Sequence, residues 1–292
     1  MQLQRIYADW NAVRHATGTP SSRQRRTWRA YLLTRPAIAY WGDSWFSTPL
    51  YKNLYWNSFV RIDGISLRLG GPGLTAAKLC TQSRCRNYAE RLRSREFDLL
   101  CLSIGGNDAL GPRLAAIFAG AGRMRAEDAF AELLAARLFE GIRERYAILL
   151  EAMSRVGGAF RVVGHGYAPL SKIGDPGRTS IKNLGLAAPL IGNLGPWLWP
   201  PMRPVLGSKA EVARFARLML VDGFRDRVLA PSKADFPSLF SYADFSPIAD
   251  TADPAFWYDE IHPTEAGFAT LAVGYNAMIR AALPAAKRGA VA

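Results

Sequence analysis

The chain has 292 residues, 49% of them apolar, which is enough to bury the core of one large α/β domain or two small ones. This composition excludes a chain disordered throughout, and no apolar run of roughly 18 residues predicts a membrane-spanning helix. Lysine and arginine number 37 against 24 aspartates and glutamates, giving a formal net charge of +13. Such an excess favours an anionic neighbour, although a basic surface without a partner explains it equally well.

Residues 1–35 are polar and rich in arginine, with a basic cluster at 23–26. We interpret them as a basic N-terminal extension that precedes one domain at 36–292. The first ten residues lack the apolar core of a secretory signal, so we expect a cytoplasmic location.

Three cysteines occur, Cys80, Cys85 and Cys101. Their odd number suits a reducing compartment better than a disulfide framework. The spacing of the first two lacks the second ligand pair of a structural zinc site, so we predict no bound metal.

The first strong structural signal is the apolar run at 37–41, which ends in Gly42, Asp43 and Ser44. A short apolar run bounded by a glycine predicts a buried strand of a parallel sheet, and such sheets bind ligands beyond the carboxyl ends of their strands. Ser44 is therefore the candidate nucleophile. A serine hydroxyl needs a base, a group that orients the base, and donors for an oxyanion.

A second strand is predicted at 61–69, followed by a glycine-rich turn at 70–73 and a helical pattern at 74–95. The turn matches neither the P-loop nor the dinucleotide fingerprint, which excludes the usual nucleotide sites. A third strand at 97–104 leads into Gly-Gly-Asn-Asp at 105–108. The two glycines allow close backbone approach and bring Asn107 to the same sheet edge as Ser44.

Helical periodicity predicts one long amphipathic helix at 127–155, then a fourth strand at 160–164 that ends before His165. Residues 171–207 are rich in glycine and proline and carry Trp-Leu-Trp at 197–199, which indicates an insertion or lid. This loop either contacts the acyl group or is anchored on the core.

After this loop, a capping box at Ser208 and Glu211 opens a further helix, and a last strand is predicted at 239–245. Asp-Glu-Ile-His-Pro occupies 259–263, and Pro263 is predicted to start the final helix.

The chain has three histidines, His15, His165 and His262. His15 lies in the polar extension, and His165 suits a structural or substrate-contacting role. His262 is held at a helix entry with Asp259 three residues before it, which makes it the candidate base.

Gly-Asp-Ser at 42–44, Gly-Gly-Asn-Asp at 105–108 and Asp-x-x-His at 259–262, in this order, resemble the SGNH (GDSL-type) hydrolase family. The resemblance spans residues 37 to 283 approximately. It implies a flavodoxin-like three-layer α/β/α sandwich with a parallel sheet of about five strands. It also implies a serine hydrolase that cleaves ester bonds without a cofactor or metal.

In this resemblance Ser44 attacks the ester carbonyl, His262 is the general base and Asp259 orients its ring. The oxyanion hole comprises the Ser44 N–H, a glycine N–H and the Asn107 side chain. The nearest match to the family's glycine is Gly73, with Gly70 and Gly71 as alternatives. Asp43 and Asp108 are interpreted as structural.

The expected substrate is a small-molecule or lipid ester, and an anionic membrane surface is a possible partner because of the arginine excess and the tryptophan-bearing loop. The alternative is a nucleic-acid- or anionic-surface-binding protein on a degenerate hydrolase scaffold. Nucleic acid is the less expected partner, since no helix-turn-helix, zinc finger or RNP-type strand is recognisable.

Overall fold

A computed structural model of the chain describes residues 4–48, 52–177 and 195–292. Residues 178–194 of the predicted insertion or lid lie outside the described residues. Within the described ranges, no helix is both long and apolar enough to cross a membrane.

The core is a parallel six-stranded sheet with the strand order β1-β3-β2-β4-β5-β6 and helices on both faces. Its strands are β1 Ile6–Tyr7, β2 Ala37–Gly42, β3 Ile65–Gly70, β4 Leu99–Ser103, β5 Arg161–His165 and β6 Phe240–Ala243. Every residue of the central strands β2 and β4 is buried, as expected for strands covered on both faces. The predicted three-layer, flavodoxin-like architecture is confirmed.

The sheet has one strand more than the predicted number of about five. The additional strand is β1, a two-residue edge strand that pairs with β3 at Ser66 and Leu67. It belongs to the basic segment that the sequence indicated as an extension. Two residues are too few to show a strand periodicity, so hydropathy patterning had no means of identifying it.

The described residues form thirteen α-helices. They are α1 Trp10–Thr17, α2 Arg23–Leu32, α3 Ser44–Ser47, α4 Leu54–Phe59, α5 Ala76–Leu79, α6 Gln82–Ser94, α7 Pro112–Ile117, α8 Ala126–Ala135, α9 Leu138–Ser154, α10 Trp199–Leu206, α11 Lys209–Ala216, α12 Ala230–Asp235 and α13 Glu265–Ala282. Two π-helical segments, 217–223 and 225–229, continue the chain after α11. Helix α13 packs on α4 and against β5 and β6, and α9 packs on α6.

Two predicted helices are each divided in the structure. The helix predicted at 74–95 forms α5 and α6, and the helix predicted at 127–155 forms α8 and α9. The second break lies at Arg137, whose φ of 53° is left-handed and incompatible with a continuous helix. No glycine or proline marks this break in the sequence, so the periodicity alone favoured one helix.

The final helix begins at Glu265, two residues later than predicted. Its N-cap is Thr264, whose hydroxyl accepts a hydrogen bond from the Gly267 N–H at 3.1 Å. Pro263 instead forms an isolated antiparallel bridge with Trp257, which closes the loop containing residues 258–262.

The connection order of the sheet creates a crevice beside β2. From β2 the chain passes to β3 on one side, and it then crosses to β4 on the other side. A parallel sheet binds ligands at such a reversal, beyond the carboxyl ends of the strands. Ser44 follows the end of β2 and Asn107 follows the end of β4, so the fold places both at this crevice.

Candidate active site

Ser44 is the first residue of helix α3, directly after the N-cap residue Asp43. The Asp43 carboxylate accepts hydrogen bonds from the Trp45 N–H at 3.1 Å and the Ser103 hydroxyl at 2.7 Å. Gly42 allows this proximity, because a Cβ at that position would lie 2.5 Å from the Ser103 carbonyl oxygen. The turn that presents Ser44 is thus fixed between β2 and β4.

Burial raises the pKa of Asp43 from its ordinary value of 3.8 to about 6, against the lowering effect of its bonds to Ser103 and Trp45. Its two partners hold the strand-to-helix turn. This arrangement matches the structural role that the sequence indicated for Asp43.

The Ser44 hydroxyl oxygen lies 2.8 Å from Nε2 of His262. On the other side of the ring, Nδ1 of His262 lies 2.9 Å and 3.0 Å from the two carboxylate oxygens of Asp259. Because a carboxylate accepts only, it favours the tautomer with its proton on Nδ1, which leaves Nε2 to accept from the serine. All three side chains are buried.

The three-residue spacing of Asp259 and His262 has a local cause. The Asp259 carboxylate also accepts from the backbone N–H groups of Ile261 at 2.9 Å and His262 at 2.7 Å, so the chain curls around it. The Tyr258 N–H donates to the His262 carbonyl at 2.8 Å and closes the curl. The backbone hydrogen bonds therefore hold the Asp259 carboxylate in the position from which it contacts the His262 ring.

Asn107 lies in a 3₁₀ turn at 106–109 directly after β4. Its side-chain amide donates to the Leu74 carbonyl at 3.1 Å, and the neighbouring Asp108 carboxylate accepts from the Ala76 N–H at 2.7 Å. The turn requires Gly105, whose φ is 108° and whose missing Cβ would collide with the ring of Phe224. Asn107 and Asp108 thus link β4 to the glycine turn that follows β3.

The three candidate glycines differ in what their backbone groups contact. The Gly71 N–H is already used, because it donates to the Gly42 carbonyl at 3.1 Å. Gly70 is the last residue of β3 and pairs in register with Gly42. Gly73 has a φ of 70° and lines the same cleft as Asn107, and within the described residues its N–H has no acceptor.

The other two histidines lie away from this network. His15 is exposed on helix α1. His165 is buried at the end of β5, where its ring stacks on Trp45 at 5.0 Å and Phe245 at 5.6 Å and its Nδ1 contacts the Gly166 carbonyl at 2.9 Å. Burial lowers the pKa of His165 to about 4, so it is neutral at physiological pH. It supports the segment beneath Ser44 by packing.

Sequence reasoning missed Glu260, which lies between the orienting carboxylate and the candidate base. Its side chain is fully buried and accepts from four backbone N–H groups at 2.5 to 3.0 Å, those of Gly174, Trp197, Leu198 and Trp199. Burial raises the pKa of Glu260, and the four hydrogen bonds oppose this effect by lowering it. Glu260 thereby fastens the tryptophan-bearing segment beside the site.

This attachment determines where Trp197 lies. Its ring meets the His262 ring edge-on, with centroids 5.4 Å apart, and Leu198 is completely buried. In the described part of the loop, residues 195–199 are therefore held against the core and form one wall of the site. No local pattern in the sequence links Glu260 to a segment about 60 residues earlier.

Two cavities meet at Asn107 and Leu110, which line both. The smaller, of about 20 Å³, contacts Ser44 and is enclosed mainly by apolar side chains, including Leu170, Leu220 and Ile261. The larger is an open cleft of about 570 Å³ that Gly73 and Trp197 also line.

The described residues contain no group of three or more His, Cys, Asp or Glu side chains that could hold a metal ion. All three cysteines are free and buried.

No protein-family model matches the chain, and no curated protein matches it in sequence. A lipase from a goat rumen metagenome is 12% identical in a superposition that covers 85% of this chain and 97% of that one, with a TM-score of 0.51. An extracellular lipase from Streptomyces rimosus is 16% identical, covering 82% and 99%, with a TM-score of 0.48. Phospholipase A1 from Streptomyces albidoflavus NA297 is 17% identical, covering 86% and 100%, with a TM-score of 0.49. At such identities the first of these similarities establishes a shared α/β/α fold.

Proposed function

We propose that the protein is a serine esterase that hydrolyses carboxylic esters through an acyl-enzyme intermediate. The observation that carries this proposal is the continuous hydrogen-bonded path from Ser44 through His262 to Asp259. The resemblance of the three ordered motifs to the SGNH family supports it, as does the shared fold with a lipase.

In the proposed first step, Nε2 of His262 takes the proton of Ser44 while the serine oxygen bonds to the ester carbonyl carbon. The imidazolium then gives this proton to the leaving alcohol as the ester C–O bond breaks. Asp259 holds the ring orientation and stabilises the positive charge. Water, activated by the same histidine, cleaves the acyl-enzyme and releases the carboxylic acid.

The oxyanion of each tetrahedral intermediate is assigned to the backbone N–H groups of Ser44 and Gly73 and to the amide of Asn107. As the first residue of α3, Ser44 has an N–H without an intrahelical acceptor. The Asn107 amide would exchange its bond to the Leu74 carbonyl for one to the oxyanion.

Replacement of Ser44 or His262 by alanine tests the proposal. Each change should lower kcat on a small activated ester by about 10⁴-fold or more, because the two groups act as one unit. Ser47→Ala is the matched control, since Ser47 lies in the same helix and its hydroxyl donates to the Asp43 carbonyl at 2.6 Å. A folded Ser44→Ala protein with wild-type turnover would contradict the assignment.

A further inference from the structure

The cleft beside Asn107 is strongly basic. Four cationic side chains line it: Lys78 from α5, Arg113 from α7, Arg145 from α9, and Arg137 from the break before α9. Among the described residues that line the cleft, Asp108 supplies the one carboxylate, which accepts from the Ala76 N–H. Within the described residues none of the four cations forms an ion pair, so their charge is available to a ligand.

Arg137 reaches the cleft through an unusual backbone conformation. Its φ of 53° is left-handed, a region that residues other than glycine rarely adopt. The conformation ends α8, allows α9 to begin at Leu138, and places Arg137 among the residues of the cleft. Strained residues of this kind cluster at ligand-binding sites.

The position of the cleft indicates which half of an ester it would receive. Trp197 lines the cleft and packs on His262, the group that protonates the leaving alcohol in the proposed reaction. The small apolar cavity at Ser44 has room for little more than one water-sized group, which suits a short acyl chain. The alcohol half is therefore assigned to the basic cleft.

The geometry points to a phosphate-binding subsite in this cleft, for an ester whose alcohol half carries a phosphate group; this inference rests on the proposed function. Three guanidinium groups and an ammonium group around one cavity match the several acceptor oxygens of a phosphate, and arginine binds such oxygens in pairs. The phosphate takes no part in bond breaking. Hydrolysis would yield a carboxylic acid and the phosphorylated alcohol.

Two matched pairs of esters test the subsite and show whether the phosphate belongs to a soluble alcohol or to a lipid headgroup. The first pair is the acetyl esters of glycerol 3-phosphate and of glycerol, and the second pair is the corresponding oleoyl esters. We expect kcat/KM for the phosphorylated ester of at least one pair to exceed that of its neutral counterpart by about tenfold or more. A preference in the acetyl pair assigns a soluble phosphorylated alcohol, and a preference in the oleoyl pair alone assigns a lipid headgroup.

Variants then locate the preference in the cleft. Combined replacement by Arg137→Asn and Arg145→Gln should abolish the preference and leave kcat/KM on the neutral ester within about twofold, because charge-assisted bonds are lost without a change near Ser44. Asparagine is chosen because it tolerates the left-handed backbone. Arg93→Gln, an exposed change on α6 outside the cleft, is the matched control and should preserve the preference.

Binding of a phosphorylated ligand to a variant that cannot hydrolyse esters separates the proposed subsite from the proposed esterase activity. Calorimetry with glycerol 3-phosphate and the Ser44→Ala variant should show saturable binding that the double replacement weakens by about tenfold or more. Such binding without hydrolysis of any ester would retain the subsite and overturn the esterase. Equal kcat/KM within both ester pairs, or binding unchanged by the double replacement, would overturn the subsite.

Discussion

Two regions on either side of Asn107 differ in how their charges are arranged. In the enclosed corner, Ser44, His262 and Asp259 are buried and each is hydrogen-bonded to the next. In the open cleft, cations such as Arg113 lack an ion-pair partner within the described residues. The side chains of the first region satisfy one another's hydrogen bonds, whereas the second region has positive charge that no carboxylate neutralises within the described residues.

The two regions suit two different tasks, bond breaking and the recognition of an anion. Bond breaking requires atoms held in fixed geometry, which the mutual hydrogen bonds of the corner provide. Recognition of an anion requires donors that are not already satisfied, which the cleft provides. Changes in the corner should therefore lower kcat, whereas changes in the cleft should act on KM and only for charged substrates.

Asn107 borders both regions, so its replacement should affect catalysis more than the other changes described below. Asn107→Ala should lower kcat by about 10²- to 10³-fold, the cost of one lost oxyanion donor, with a smaller change in KM. Asn57→Ala on α4, whose side-chain amide donates to the backbone carbonyls of Lys52 and Asn53, is the control. A loss confined to KM would move Asn107 from the chemistry to the recognition of substrate.

Asp43 tests the enclosed corner through its pH dependence. The folded protein binds the Asp43 proton more tightly than the unfolded chain does, since burial raises this pKa from 3.8 to about 6. Ionisation therefore destabilises the fold as pH rises through this window, by roughly 2 to 3 kcal/mol between pH values of about 4 and 7. Asp43→Asn lacks this contribution.

Urea unfolding of the wild type and of Asp43→Asn at the two pH values measures the contribution of Asp43 ionisation to stability. The stability of the wild type relative to Asp43→Asn should fall by the stated amount from the lower to the higher pH, and Asp250→Asn, an exposed change, should show no such trend. A difference that stays constant with pH would contradict the burial of the Asp43 charge.

A smaller effect is expected at Glu260, which joins the corner to the wall of the cleft. In Glu260→Gln an amide group would face backbone donors, so the free energy of unfolding should fall by about 1 to 2 kcal/mol. Release of Trp197 from His262 should also lower kcat/KM a few-fold. Glu265→Gln, which removes an exposed ion pair with Lys52, is the control and should cost at most about 1 kcal/mol. Unchanged stability in Glu260→Gln would contradict the anchoring role.

The parts that could be predicted are those with short-range signals. Continuous apolar runs predicted β2 and β4, and the three-residue spacing of Asp259 and His262 follows from a turn around one carboxylate. The meeting of residue 44 with residue 262 could not be worked out from spacing. It followed from the order of motifs in a resembling family, together with the rule that strand ends share one edge.

The parts that could not be predicted depend on contacts between distant residues or on strain. Glu260 bonds to backbone groups that lie 61 to 63 residues earlier at 197–199 and 86 residues earlier at Gly174. Arg137 ends a helix by adopting a left-handed backbone that its residue type disfavours. The periodicity of 127–155 identified the buried face, but it said nothing of which arginines on the other faces would line a cleft.

Covalent trapping of the nucleophile tests directly whether Ser44 attacks the ester. The protein is treated with an alkyl phosphonate that carries a good leaving group, and the modified peptide is identified by mass spectrometry. We expect one modified serine, Ser44, in the wild type, and no modification of Ser44 over the same time when His262 is replaced by alanine. Modification of a different serine, or an unmodified protein that still hydrolyses esters, would contradict this expectation.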